Sequence, residues 1–428
     1  MKKTFFHYVL QSTLGMIGIS VYILADTFFI SISGGADGIT VLNLMLPLYG
    51  LLYAIGAMIG IGSATKFAIR RQQKREADHY FTHSLAWQFL ASLPFILIGL
   101  ISPGRYLGFM GGDARIVSLG TGYARIVFLA APCFMMNFTF TAFARNDKAP
   151  TTAMIASLSG SLFNIIFDYI FMFPLGMGMK GAALATSLSP VVTSMVTLTH
   201  YLGKNNTIHP SKFSLSLRRL VGTCQLGFSA FVGEISSAIT TTIFNTLLLS
   251  IAGNTGVAAY GVIANLALVA TALFNGVAQG VQPLLSTSYG KNNFREIRQL
   301  LRLGIITALL LETCILGIAY GFTDQLVHIF NSENNLLLAQ YAHAGLRLYF
   351  LGYILAGVNI LLVNYFSAIA DVRTAFLASI LRGVAAIALC AIVLSRLFGM
   401  TGIWLSFPAA ECITLLSILG CSLRRRAA

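Results

Sequence analysis

Residues 177–185 read Met177-Gly178-Met179-Lys180-Gly181-Ala182-Ala183-Leu184-Ala185, and residues 398–406 read Phe398-Gly399-Met400-Thr401-Gly402-Ile403-Trp404-Leu405-Ser406. Each opens an apolar run with two glycines three residues apart, and the copies lie 221 positions apart. Two more matches fall at nearly the same offset. Arg125 and Asn137 correspond to Arg347 and Asn359 at 222, and Asp26-Thr27 with Ser31-Ile32 corresponds to Asn245-Thr246 with Ser250-Ile251 at 219. A chain that repeats at half its length reads as two similar halves in parallel orientation, related by an axis along the membrane normal.

The composition says what medium those halves occupy. Of 428 residues, 56% are hydrophobic and 10% are charged, against about 25% charged in soluble domains. Mean hydropathy is +0.78. So few charges cannot cover a water-facing surface, which excludes a cytosolic enzyme, a secreted disulfide scaffold and a disordered regulator. Twelve segments are apolar enough to cross a bilayer, at 7–32, 40–65, 84–103, 119–143, 151–174, 181–203, 218–252, 256–289, 296–322, 341–366, 374–395 and 402–423. The expected fold is an all-α membrane protein of twelve transmembrane helices in two pseudo-symmetric six-helix bundles. Residues 1–203 form an N-terminal lobe, 204–217 a polar linker and 218–428 a C-terminal lobe. The start, Met1-Lys2-Lys3 before an apolar run to Ile32, mimics a signal peptide but is too long for one, and reads as a retained span.

Net charge is +14. Twenty-one Lys and Arg fall on one side of the twelve-span topology, including Lys66, Arg70, Arg71, Lys74, Arg75, Arg145, Lys148, Lys212 and Arg424–Arg426. Four fall on the other, Arg105, Arg115, Lys180 and Arg396. That bias places both termini in the cytoplasm of a cell (inner) membrane protein. It also explains the basic balance without nucleic acid, for which no stretch is long enough to form a reader domain. The six cysteines, Cys133, Cys224, Cys314, Cys390, Cys412 and Cys421, are scattered through apolar segments and form no CxxC pair, so they read as packing residues. Gly176–Gly181 fits a GxGxxG spacing, but without the preceding strand that nucleotide binding requires.

Ionisable groups inside a span are functional candidates because they are costly to bury. Asp26, Asp168, Glu234, Glu312 and Glu411 qualify. Asn164 precedes Asp168 by four residues and shares its helix face. With Asp26 of the first span and Thr186 of the sixth, they make an oxygen-rich set suited to Na⁺ or, through a buried carboxyl, to H⁺. The plainer alternative is separate buried acids hydrogen-bonded for packing. Glu234, with Ser229, Ser236, Ser237 and Thr240–Thr242, and Glu411 after Pro408, are candidates for a substrate cavity, as are Asn245, Gln282 and Met172. Glu312 is isolated and reads as structural or protonated. Asp147-Lys148 reads as a charged turn, and Asn293 with Glu296 as a helix-capping pair.

These motifs resemble the multidrug and toxic compound extrusion (MATE) family, and within it the MepA-like branch. The resemblance rests on Leu24-Ala25-Asp26-Thr27-Phe28-Phe29-Ile30, Asn164-Ile165-Ile166-Phe167-Asp168-Tyr169, Gly181–Thr186, Gln279–Leu284 and Tyr289-Gly290. It implies a secondary antiporter that exports amphipathic, often cationic compounds in exchange for H⁺ or Na⁺ by alternating access. The coupling ion would sit at Asp26, Asn164, Asp168 and Thr186, with no other cofactor and no catalytic residue. The partners implied are a small organic substrate and the lipid bilayer, with a monomer sufficient. One departure stands out: many relatives carry a proline in the first helix near the position of Gln11, which leaves bending of that helix to Gly15 and Gly18. A lipid-linked saccharide flippase of the same superfamily is the alternative, but it would want a cationic cavity where these spans carry acids. An integral membrane enzyme would need a catalytic cluster, and none is found.

Overall fold

The computed structural model describes residues 1–73, 77–209, 211, 215–330 and 335–427; for 329–330 and 421–427 it describes the backbone alone. Lys74, Arg75, Pro210 and Lys212, and the side chains of Cys421 and Arg424–Arg426, therefore lie outside what is described. Among the described residues eight helices and one bent pair are long and apolar enough to cross a membrane. Three of these nine are divided by a glycine with left-handed backbone, which yields twelve spans. The breaks are Gly35 (φ 55, ψ −146), Gly253 (φ 62, ψ −156) and Gly399 (φ 57, ψ −130). A side chain at such φ is strained, so glycine marks the points where the chain turns back on itself.

The spans are α1 (2–34), α2 (36–72), α3 (His79–Ile101), α4 (114–146), α5 (Pro150–Met172) and α6 (Gly178–Tyr201), then α7 (217–252), α8 (254–290), α9 (Phe294–Gly321), α10 (Leu336–Ala368), α11 (372–398) and α12 (400–427). Every expected span is present, most of them longer by a few residues. α4 bends by 42° at Ala130, where Pro132 opens the second half without an N–H to give. Two short helices, Pro103–Phe109 and Thr323–Phe330, were not expected. The repeat survives in the backbone. Gly35 and Gly253 break the first hairpin of each lobe, and Gly178 (φ 50) and Gly399 enter the last helix of each. Asn293 accepts from the Glu296 amide (3.2 Å) and donates to its carboxylate (3.0 Å), as the capping pair requires.

Each lobe has its own core. Ile30, Met45, Leu52, Tyr123, Phe134 and Met172 pack in the first, and Phe244, Ile263, Tyr349, Tyr353 and Trp404 in the second. The lobes meet at the end that carries the N-terminus and the linker, here the terminal face. The helices approach backbone to backbone there. A Cβ on Gly62 would strike the Thr223 carbonyl, one on Gly227 the Met58 carbonyl, and one on Gly280 would lie 2.7 Å from Val9 Cα. Gly62 and Gly280 are 218 positions apart, so α2 against α7 and α8 against α1 are one contact made twice. Gln282 donates to Thr65 (3.2 Å) within this seam.

The segment between α6 and α7 is docked on the first lobe. Ile208 is buried among Phe67, Tyr80, Phe81 and Phe143. Asp147 anchors it. Its carboxylate accepts from Arg71 (2.7 Å), His200 (2.9 Å), the Thr207 amide (3.0 Å) and the Thr207 hydroxyl. The charged turn expected at Asp147-Lys148 is thus half right: Lys148 is exposed at φ 65, whereas the Asp147 side chain is 1% exposed and is a hub. Burial alone would push its carboxyl up, but Thr207, Arg71 and His200 hold it below the usual carboxylate range. A carboxyl depressed by folding adds stability above its unfolded value of about 3.9, and loses it as pH falls through the folded value. Docking of the linker should therefore persist at neutral pH and loosen only in strong acid. Asp147→Ala should cost about 3 kcal/mol, because it leaves Arg71 and His200 facing an empty hub. A thermal unfolding midpoint equal to wild type would refute this.

Candidate functional site

Asp26, Asn164, Asp168 and Thr186 come together inside the first lobe, and all four are buried. α5 and α6 are held in register at three levels. Ser189 donates to the Gly160 carbonyl (2.9 Å), Asn164 donates to Thr186 Oγ1 (3.3 Å), and Gly181 lets α6 pass against the Phe171 backbone. Asp168 sits one turn beyond Asn164 and lies close enough to Asp26 of α1 for the carboxyls to interact. Asp26 Oδ1, Asn164 Oδ1 and both oxygens of Asp168 accept no hydrogen bond from the protein. Two carboxyls without donors cannot both remain charged in an apolar interior. They need a proton or a cation between them, and the oxygens offered suit either.

α1 carries this site to a second compartment. A cavity of about 640 Å³ lies between the lobes, beyond the seam. From the first lobe come Gln11, Ser12, Tyr22, Tyr53, Asn137, Arg145 and Ser161; from the second come Glu234, Thr241, Asn265, Asn364, Arg382 and Glu411. Its size fits a drug-sized molecule. Tyr22, one turn before Asp26, lines it, whereas the four buried oxygen ligands do not. α1 runs unbroken from 2 to 34. In this conformation Gly15 and Gly18 form the surface on which Ser157, Leu158 and Ser161 of α5 pack.

The expected cavity residues divide. Glu234 and Glu411 line the cavity; Met172, Gln282 and Asn245 do not. Met172 points into the core of the first lobe and Gln282 is spent on the interlobe seam. Asn245 stands in α7 beyond the lining, because the offset from Asp26 preserves sequence place and not the surrounding chemistry. Glu411 is not an open carboxylate. Arg382 grips it with Nη2 (2.9 Å) and Nε (3.2 Å), and Asn359 donates to it at 2.7 Å. Arg382 sits in a π-helical turn, Leu381–Ala385, a local widening often found at functional positions. Glu312 lies outside the cavity lining: it is buried and its Oε1 accepts from the Val358 amide (3.3 Å), while its Oε2 has no hydrogen bond.

Sequence reasoning missed Arg145. It was counted among the basic residues of the loops, yet it lines the cavity. The signal was available: Asn137, Thr141 and Arg145 recur every four residues, one polar stripe on one face of α4.

Comparison with known proteins agrees with this fold. The MatE family model matches residues 12–170 and 230–392. The chain is 27% identical over 424 residues to the multidrug export protein MepA of Staphylococcus saprophyticus, covering 97% of this chain and 92% of that one. It is 24% identical to the protein of the same name from Staphylococcus aureus strain MRSA252, with the same coverage. Among solved structures, an outward-facing multidrug resistance MATE transporter superposes with a TM-score of 0.92 at 22% identity, over 100% of this chain and 96% of that one. A Pyrococcus furiosus transporter, described as having a binding pocket of reversed polarity, superposes at 0.90 and 22% identity with the same coverage. With both halves of the repeat inside the matched residues, the chain belongs to the MatE family.

Proposed function

We propose that this protein exports amphipathic organic cations across the cell membrane in exchange for H⁺ or Na⁺, by alternating access. The observation that carries this reading is the arrangement along one face of α1: Gly15, Ile19 and Tyr22 line a large cavity, and Asp26, one turn further on, enters a buried carboxyl pair with Asp168. The names of its relatives support export of many drugs. The charge bias puts the terminal face in the cytoplasm, so the closed seam faces inward and the cavity outward. In that state the outer solution supplies a proton or Na⁺ to Asp26 and Asp168, with Asn164 and Thr186 as further oxygen ligands. Neutralising the pair removes its field from the cavity and moves α1, as a rod, against α5. Substrate then leaves to the outside. After the lobes rock over, the ion leaves to the cytoplasm and the cavity loads again. Antiport requires only that ion and substrate each disfavour the other. A single chain holds both compartments, so a monomer suffices.

The test is uptake of a fluorescent organic cation into proteoliposomes under an imposed H⁺ or Na⁺ gradient. Accumulation driven by one of the two gradients identifies the ion. Folded protein that moves no cation under either gradient would overturn the reading.

A further inference from the structure

The cavity holds two charged side chains without a partner, and they have opposite signs. Glu234, near the middle of α7, lines it and makes no ion pair or side-chain hydrogen bond among the described residues. Glu411 does not add to that charge, because Arg382 and Asn359 satisfy it. Arg145 is the opposite pole. It stands on the last turn of α4 and closes the stripe begun by Asn137 and Thr141. No carboxylate pairs with it among the described residues. Asp147, two residues on, is already taken by Arg71, His200 and Thr207.

Position explains why this arginine is unusual. An arginine near a helix end ordinarily snorkels to the interface. Arg145 opens instead onto the cavity floor, where the interlobe seam closes the route to the terminal face. Thr141 precedes Arg145 by one turn on the same face of α4, and Gln11 and Asn137, elsewhere on the first-lobe wall, carry side-chain oxygens buried without a hydrogen bond. A guanidinium presents parallel N–H donors that match a carboxylate, and a substrate bearing only positive charge would leave it unmatched.

We infer that Arg145 is the anion-binding group of the cavity and that the preferred substrates are amphipathic zwitterions. Their carboxylate sits at Arg145 and their cationic group lies toward Glu234. This rests on the cavity being the substrate site, as proposed above.

A matched dye pair tests it: tetramethylrhodamine with a free carboxylate, and its methyl ester, which is a simple cation. Binding is measured by fluorescence anisotropy on the full chain in nanodiscs. Wild type should bind the free acid about tenfold more tightly than the ester, the scale of a charge-assisted hydrogen-bonded pair. Arg145→Gln should abolish that preference, free-acid binding falling relative to ester binding, and a thermal unfolding midpoint equal to wild type shows that the variant is folded. Arg145→Lys should restore part of it, and Glu234→Gln should weaken both dyes. Preference of wild type for the ester would overturn the inference, as would equal loss of both dyes, or of neither, in Arg145→Gln. If wild type binds neither dye, the substrate cavity itself is refuted and this assignment falls with it.

Discussion

Asp168→Asn is expected to reduce gradient-driven uptake of an organic cation about a hundredfold, to the leak of protein-free vesicles. The substitution keeps shape and removes only the charge that ion and substrate compete over. Both oxygens of Asp168 lack donors, so the neutral amide costs no ion pair and the fold should hold. An uncharged residue there mimics the proton-loaded state permanently. Linkage then predicts that substrate affinity settles at its weak, ion-loaded value, typically 5–150-fold below the strong one, and no longer responds to pH. Asp26→Asn should act in the same direction, because the two carboxyls share one pocket. Binding across pH and uptake in vesicles measure the two halves of this statement. Uptake near wild type in both variants would remove the carboxyl pair from coupling.

Gly227→Leu is expected to hold the terminal face open and to slow transport more than tenfold. A Cβ at this position falls on the Met58 carbonyl, which is backbone and cannot swing aside as a side chain can. Overpacking of this kind costs about 3 kcal/mol, and loading that cost on one conformer shifts a two-state equilibrium by roughly a hundredfold. Spin labels at Gln72 and Lys291, on either side of the Gly290 contact, should report a separation several ångströms longer. Gly280→Leu, the same contact in the other half of the repeat, should reproduce the effect. Gly317→Leu, where nothing lies within 4 Å, should leave both distance and transport unchanged. A wild-type distance in Gly227→Leu would show that the seam is not what holds the closed state.

Much of this was legible in the chain before it was folded. Helix spans follow from local hydropathy, which needs no knowledge of neighbours, so all twelve were found. The Gly178 and Gly399 pair announced the repeat because left-handed backbone admits few residues other than glycine. Asp26, Asn164, Asp168 and Thr186 were found because acids in apolar helices are rare and i, i+4 spacing fixes a shared face. Reasoning faltered where a residue's meaning depends on a partner from another helix. Asp147 resembled any charged turn until Arg71, His200 and Thr207 closed on it. Glu411 was read as a cavity residue and does line the cavity, but only the fold shows Arg382 closing on its carboxylate. Gln282 lay in a family motif but spends its amide on Thr65. Arg145 resembled a topology-setting charge, since sequence tells how far along a helix a residue lies and not what faces it.

The amino-acid sequence by itself determined the membrane environment, the twelve spans, the duplication and the acids that must be neutralised. These depend on hydrophobicity and backbone sterics, which act within a turn or two of the residue concerned. Only the tertiary structure decided which charges are paired and which are bare, where the lobes seal, and that the carboxyl pair and the cavity are separate compartments joined by α1. Those properties belong to distances between helices. A Coulomb interaction or a hydrogen bond is made or lost within a few ångströms, and packing alone sets that separation.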